Sequence, residues 1–114
     1  MKYEVMMTSQ AVADLRTVFE YIAYELLAGQ TALNQLDRLE KVIEGLEEMP
    51  ERHHVYEKEP WKSRNLRVMP VDNYLVFYIA EKEEKRVTVI RIMYGRRDIE
   101  TQLKAHTPDK GSGK

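Results

Sequence analysis

The chain of 114 residues contains no cysteine. That absence excludes disulfides and thiolate metal sites and is compatible with a reducing compartment. Long hydrophobic runs are missing too: no stretch approaches the ~20 apolar residues of a membrane span. The start, Met1-Lys2-Tyr3-Glu4-Val5, carries charge too early for the apolar region of a signal peptide. A soluble, cytoplasmic protein is the expectation. Glycine is scarce, with five in the chain, and none falls in a phosphate-cradling loop or a Gly-x-Ser-x-Gly elbow. The three histidines have no Asp or Glu partners at metal-ligand spacing, so neither metal nor cofactor is expected. The chain is long enough to bury roughly 65% of its unfolded surface as one domain.

A large excess of one charge is also absent, the net charge being −1. The balance hides an asymmetry. Residues 1–60 hold 6 Lys and Arg against 12 Asp and Glu, whereas residues 61–114 hold 12 against 7. A free-standing nucleic-acid binder carries its basic excess over the whole domain. Here any anionic partner should meet the C-terminal half, and the acidic half reads as an ordinary solvated helical face.

What the chain does have is pattern. Residues 3–7 read as a short first strand, and Ser9 is placed to cap a following helix. Val12, Leu15, Phe19, Ile22 and Leu26 then recur at helical spacing, with Asp14, Arg16, Glu20 and Glu25 on other faces. Gly29 supplies a stop. A second helix is expected from Thr31, with Leu33, Leu36, Leu39, Val42, Ile43 and Leu46 as its apolar stripe, closed by Met49-Pro50. Residues 50–62 form a connector, and three strands follow: Arg64–Met69, Tyr74–Ala80 and Arg86–Tyr94. Pro70 and Asp72-Asn73 punctuate the first pair, and Glu81–Lys85 the second.

The middle strand is apolar on both faces, with Leu75, Phe77 and Ile79 on one and Tyr74, Val76 and Tyr78 on the other. One face can pack on the helical hairpin. The other needs a cover, either the C-terminal helix expected over Asp98–Lys104 or a partner. Residues 105–114, with Pro108, Gly111, Ser112 and Gly113, read as a disordered tail after a domain of residues 1–104. The order β-α-α-β-β-β with a short final helix makes an α+β domain, a helical hairpin on a small, mostly antiparallel sheet.

The most informative stretch is the last strand and its end: Ile90-Arg91, then Tyr94-Gly95-Arg96-Arg97-Asp98. An aromatic residue, a glycine and two arginines there set fixed positive charge beside an apolar sheet. Arg96 and Arg97 can contact a phosphate or carboxylate. Asp98 suits the start of the last helix, where carboxylates are favoured. Arg67 and Arg91 lie within apolar strands and either line a groove or sit in an ion pair.

Together with Leu66-Arg67, Asn73-Tyr74 and Phe77-Tyr78, these residues resemble the RelE/ParE superfamily, toxins of bacterial type II toxin–antitoxin pairs that include plasmid stabilisation proteins. The resemblance spans residues 3–103. It implies a growth-arresting toxin neutralised in a hetero-oligomer by a cognate antitoxin. RelE-like members cut messenger RNA on the ribosome, whereas ParE-like members inhibit DNA gyrase without acting as nucleases.

Metal-independent RNA cleavage needs a base for the 2′-hydroxyl, positive charge on the phosphorane and an acid for the leaving oxygen. The resemblance therefore puts Arg67, Arg97 and Tyr94 forward as catalytic candidates. Where RelE-like strands read Tyr-Arg-Leu-Val-Tyr, this chain has Tyr74-Leu75-Val76-Phe77-Tyr78, so Leu75 replaces the arginine. The later arginine of a Gly-Lys-Arg context corresponds to Arg97, and the tyrosine six residues beyond falls on Leu103. Leu75 and the form Tyr-Gly-x-Arg-Asp fit the ParE-like side, which makes a gyrase-type binding inhibitor the first expectation and a ribosome-dependent endoribonuclease the alternative.

Leu75, Phe77, Arg91, Tyr94, Arg96 and Arg97 are the expected target- or antitoxin-binding residues, with the Leu75, Phe77 and Ile79 face as the antitoxin groove. Histidine as a residue type suits acid–base work near neutrality, but His53 and His54 are adjacent on a loop, so surface histidines are expected. Glu57 and Glu59 of the connector are candidates for a carboxylate base, His106 lies in the tail, and Tyr56 and Trp61 are expected to pack under the connector.

Overall fold

A computed structural model of the chain describes residues 2–95 together with 99, 101 and 103. The expectations for Arg96, Arg97, Asp98, His106 and the tail 105–114 lie outside the described residues. The elements are β1 (Glu4–Met7), α1 (Ser9–Glu20), a π-helical turn over Tyr21–Glu25, α2 (Gly29–Glu44), β2 (His54–Val55), β3 (Arg67–Val71), β4 (Tyr74–Glu81) and β5 (Arg86–Tyr94). They form a five-stranded sheet in the order β1-β5-β4-β3-β2. β1 runs parallel to β5 and the other pairs are antiparallel. The helical hairpin lies on one face. This is the expected α+β architecture with one strand more.

The amphipathic stripe of α1 is rotated from its expected position. Ala11, Leu15, Val18 and Ile22 are buried against the sheet, whereas Val12 and Leu26 are exposed. The π turn inserts extra residues per turn at Tyr21–Glu25, which carries Leu26 off the buried face. Thr8, not Ser9, is the N-cap: its side-chain oxygen accepts the Ala11 N–H at 3.0 Å. Gly29 begins α2 rather than ending α1, because Leu27 takes the left-handed turn conformation (φ 53°) in the glycine's stead. On α2, Ala32, Leu39 and Ile43 are buried and Leu33 is exposed.

Two further differences concern the strands. β2 pairs only through His54 and Val55, opposite Val68 and Arg67. Two residues are too few to show a period-2 pattern in sequence. Pro70 sits inside β3 rather than after it, opposite Leu75 of β4. Beyond the short β2 that side of β3 is an open edge, where a missing N–H costs nothing.

The core divides between the two faces of the sheet. Tyr74, Val76 and Tyr78 of β4 join Val87, Val89 and Ile92 of β5 under the helices. On the opposite face Phe77 and Met93 pack with Trp61, Leu66 and Leu103, and Leu75, Ile79, Ile90 and Ile99 close around them. The alternation read from β4 therefore holds. The second face is covered from within the chain, by the connector and by Ile99 and Leu103.

Candidate functional site

The end of β5 is built around an irregularity. Phe77 of β4 faces Arg91 and Tyr78 faces Val89, so Ile90 is an extra residue, a β-bulge. A bulge leaves ladder groups without strand partners, and α1 supplies them. The Thr8 hydroxyl donates to the Ile90 carbonyl at 2.8 Å, and Asp14 Oδ2 accepts the Ile92 N–H at 2.9 Å. The same carboxylate takes Arg91 in a bidentate pair, Nε to Oδ2 at 2.8 Å and Nη2 to Oδ1 at 3.1 Å. Both partners are buried. Arg91 is thus held in an internal ion pair, and Asp14 is not on a solvated face. A pair 77 residues apart leaves no periodic signal in the sequence.

Beyond the bulge, Gly95 donates its N–H to the Asn73 carbonyl at 2.8 Å. A Cβ at this position would sit 3.3 Å from that oxygen, so the glycine permits the close approach that ties the strand end to the β3–β4 turn. Tyr94 stacks edge-on against Tyr74 with ring centroids 5.8 Å apart. Burial pushes the Tyr74 hydroxyl above its ordinary pKa, with Tyr94 and Tyr21 close by adding to the shift. It stays neutral through the physiological range.

These tyrosines line a cleft of about 560 Å³ between α1, the start of α2 and the β4–β5 ends. Thr17, Leu26, Gln35 and Asn73 share its wall, with the Asp14–Arg91 pair in its lining. The apolar character continues onto the hairpin tip, where Tyr24 is 68% and Leu27 86% exposed, beside exposed Tyr21, Leu26 and Leu33. Five of the nine exposed large hydrophobics among the described residues fall within residues 21–33. That concentration makes the hairpin tip a candidate interaction surface.

The opposite face is different. Phe77 is fully buried there, with Tyr56 edge-on at 5.7 Å and Trp61 beneath Arg64, whose guanidinium lies 5.1 Å from the indole. Tyr56 and Trp61 do pack under the connector as expected. Phe77 is a core residue, not an exposed groove residue, and Leu75 is half-buried beside it.

Arg67 holds the connector in place, its Nη1 donating to the carbonyls of Glu51 at 3.0 Å and His53 at 2.7 Å. The buried Tyr78 hydroxyl donates to the Pro50 carbonyl. His54 is exposed, but His53 is half-buried and edge-on to Tyr78, so it is no surface histidine. Of the connector carboxylates, Glu59 accepts the Ser63 N–H and is held below the usual carboxylate range by Ser63, and Glu57 pairs with Lys62 at 3.8 Å.

Among the described residues the candidates for acid–base work are therefore scattered. Arg67 lies opposite Tyr78 and Tyr94 opposite Tyr74. Roughly 13 Å of strand separates those positions along β4. Among the described residues no group of His, Asp and Glu converges as a metal site. No helix of the described residues is long and apolar enough to cross a membrane.

Residues 5–99 match the family profile of the ParE toxin of the parDE type II toxin–antitoxin system. The chain belongs to that family. Solved structures carry the same fold at low sequence identity. The chromosomal ParDE system of P. aeruginosa aligns with a TM-score of 0.67 at 16% identity, over 82% of this chain and 96% of that one. The toxin–antitoxin complex RelBE2 from Mycobacterium tuberculosis gives 0.62 at 19%, over 82% and 92%. A mutant of the E. coli toxin RelE in the free state gives 0.61 at 16%, over 90% and 93%. No curated protein matches the sequence. The ParE family and the sheet-and-hairpin fold are thus those expected from the Tyr94-Gly95-Arg96-Arg97-Asp98 stretch and the elements before it.

Proposed function

We propose that this ParE-family toxin arrests growth by binding an essential target of the DNA gyrase type, without cutting RNA. The observation that carries the reading is the filling of the sheet face opposite the helices. Phe77, Met93, Trp61, Leu66 and Leu103 occupy it as a closed apolar cluster. RNA cleavage needs a base, a cation and an acid around one phosphate. Here Arg67 is turned to connector carbonyls, and Leu75 stands where the resemblance to RelE-like strands would put an arginine. Arg96 and Arg97, which follow β5 in the sequence, supply the charge for target contact.

The partner of the free toxin is a cognate antitoxin, as in the solved ParDE and RelBE2 systems that share the fold. Its anchor is the cleft of Tyr21, Leu26, Tyr74 and Tyr94 with the exposed hairpin tip. The Phe77 face, first expected to be the groove, is already covered by the chain itself. β5 has no strand on its outer side beyond Val89, but Asp14 already takes the Ile92 N–H there, so an amphipathic helix fits the cleft better than an added strand.

Parallel pulse-labelling after brief induction without antitoxin tests the target. Thymidine incorporation should stop before methionine incorporation, and purified toxin should inhibit gyrase supercoiling. Methionine incorporation stopping first, with cleaved messenger RNA on ribosomes, would establish the endoribonuclease alternative. Normal growth under a folded, antitoxin-free chain would mean a non-toxic member that only titrates antitoxin.

A further inference from the structure

The connector that covers the Phe77 face carries a half-buried histidine where it meets β3 and β4. His53 Nε2 is buried with no hydrogen-bond partner among the described residues. The ring stands edge-on to Tyr78 at 6.3 Å, and the His53 carbonyl is one of the two that Arg67 grips. The groups around it are mostly cationic. Arg52 and His54 flank it on its own segment, and Arg67 faces it from β3. The neighbouring acid, Glu51, is exposed and pairs with Lys82 of the β4–β5 turn at 3.7 Å. Tyr78 on β4 presents a ring edge-on and gives its hydroxyl to Pro50.

From this geometry we infer that His53 is a proton-operated latch: when its imidazole takes a proton, the connector lifts from the sheet and uncovers the second apolar cluster. A protonated ring acquires an N–H at Nε2 that has no acceptor in its buried setting, and a positive charge among Arg52, His54 and Arg67. The route to the cluster is short. Releasing the His53 carbonyl frees the two-residue β2, and next along the chain are Tyr56, edge-on to Phe77, and its backbone bond to Leu66. Opening of this kind falls below global unfolding because the cluster that joins β1 and the helices to the other sheet face is separate from it.

The direction of the His53 shift agrees. Burial, and then Arg52, hold its pKa below the ordinary 6.5. The folded chain therefore prefers the neutral ring, and the cover is fully seated above 6.5 and loosens as pH falls through the lowered value.

Trp61 is the chain's one tryptophan and lies in the cluster under the connector, so it reports on the cover directly. Emission of the full-length toxin should shift to longer wavelength between ~pH 8 and ~pH 5 while far-UV circular dichroism stays constant. His53→Gln should abolish the transition, and His54→Gln should leave it in place. Because His53→Gln could unseat the connector at every pH, the wild-type chain supplies an independent reading by NMR. The His53 ring resonance and the Trp61 indole N–H should titrate with one shared midpoint, below the ordinary 6.5. A Trp61 signal that does not move while His53 titrates would overturn the latch, as would a transition that persists unchanged in His53→Gln.

Discussion

Asp14 Oδ2 holds two donors at once, the Arg91 Nε at 2.8 Å and the Ile92 backbone N–H at 2.9 Å. One carboxylate therefore neutralises the buried arginine and repairs the ladder that the Ile90 bulge interrupts. Asp14→Ala should strand both, and breaking one side of a buried pair costs about 3–5 kcal/mol. Urea unfolding checks the value. The double variant Asp14→Leu with Arg91→Met should lose less than the two single changes summed, because no charge is left unpaired. Simple additivity would show the pair to be uncoupled.

Tyr78 makes the fold sensitive to alkali. Burial pushes its hydroxyl up to about 12, against an ordinary value of 10.0. The folded state keeps the proton that the unfolded state gives up first. Stability is full below 10.0 and declines as pH rises towards about 12, by on the order of 2 kcal/mol. Tyr78→Phe should remove this decline. At neutral pH it should cost about 1–3 kcal/mol by leaving the Pro50 carbonyl without its donor. Denaturation midpoints across the alkaline range decide it.

Replacing Leu75 by Arg should not create a ribosome-dependent nuclease. Leu75 packs on the cluster of Phe77 and Met93, a contact that an arginine would lose. The expected result is a less stable toxin with no cleavage of messenger RNA in a ribosome assay. Cleavage by the variant would mean that the missing arginine was the only defect.

Leu26→Asp tests the antitoxin surface. Leu26 is 55% exposed and lines the cleft, so the folding midpoint should barely move. Affinity for the cognate antitoxin should fall at least tenfold, about 1.4 kcal/mol. Calorimetry of the purified pair measures both quantities. Undiminished affinity would place the antitoxin elsewhere on the chain.

The parts legible in the sequence were those with a period. Val76 and Tyr78 against Phe77 and Ile79 fixed both faces of β4. Leu39 and Ile43 fixed the buried side of α2. The rest depended on events without a period. A π turn moved Leu26 from stripe to surface, and a two-residue strand gave no alternation to read. Arg67 and Arg91 looked alike as arginines within apolar strands. Only three-dimensional neighbours tell them apart, one gripping connector carbonyls and the other a helix carboxylate. Tyr94 was found by its motif, whereas its companions Tyr21 and Tyr74 came to it through the hairpin.

The pairing of β1 with β5 sets an order of events during synthesis. Glu4 through Met7 find their ladder partners only in Arg86 through Val89, and the Thr8 hydroxyl meets Ile90, 82 residues later. The strand made first must wait for the strand made almost last, and closing so wide a loop slows folding. A ribosome carrying an unfinished toxin therefore holds the helical hairpin without the sheet that seats it. A stop codon or protease cut anywhere before β5 should therefore leave a chain that cannot assemble its sheet, β1 having lost its ladder partners.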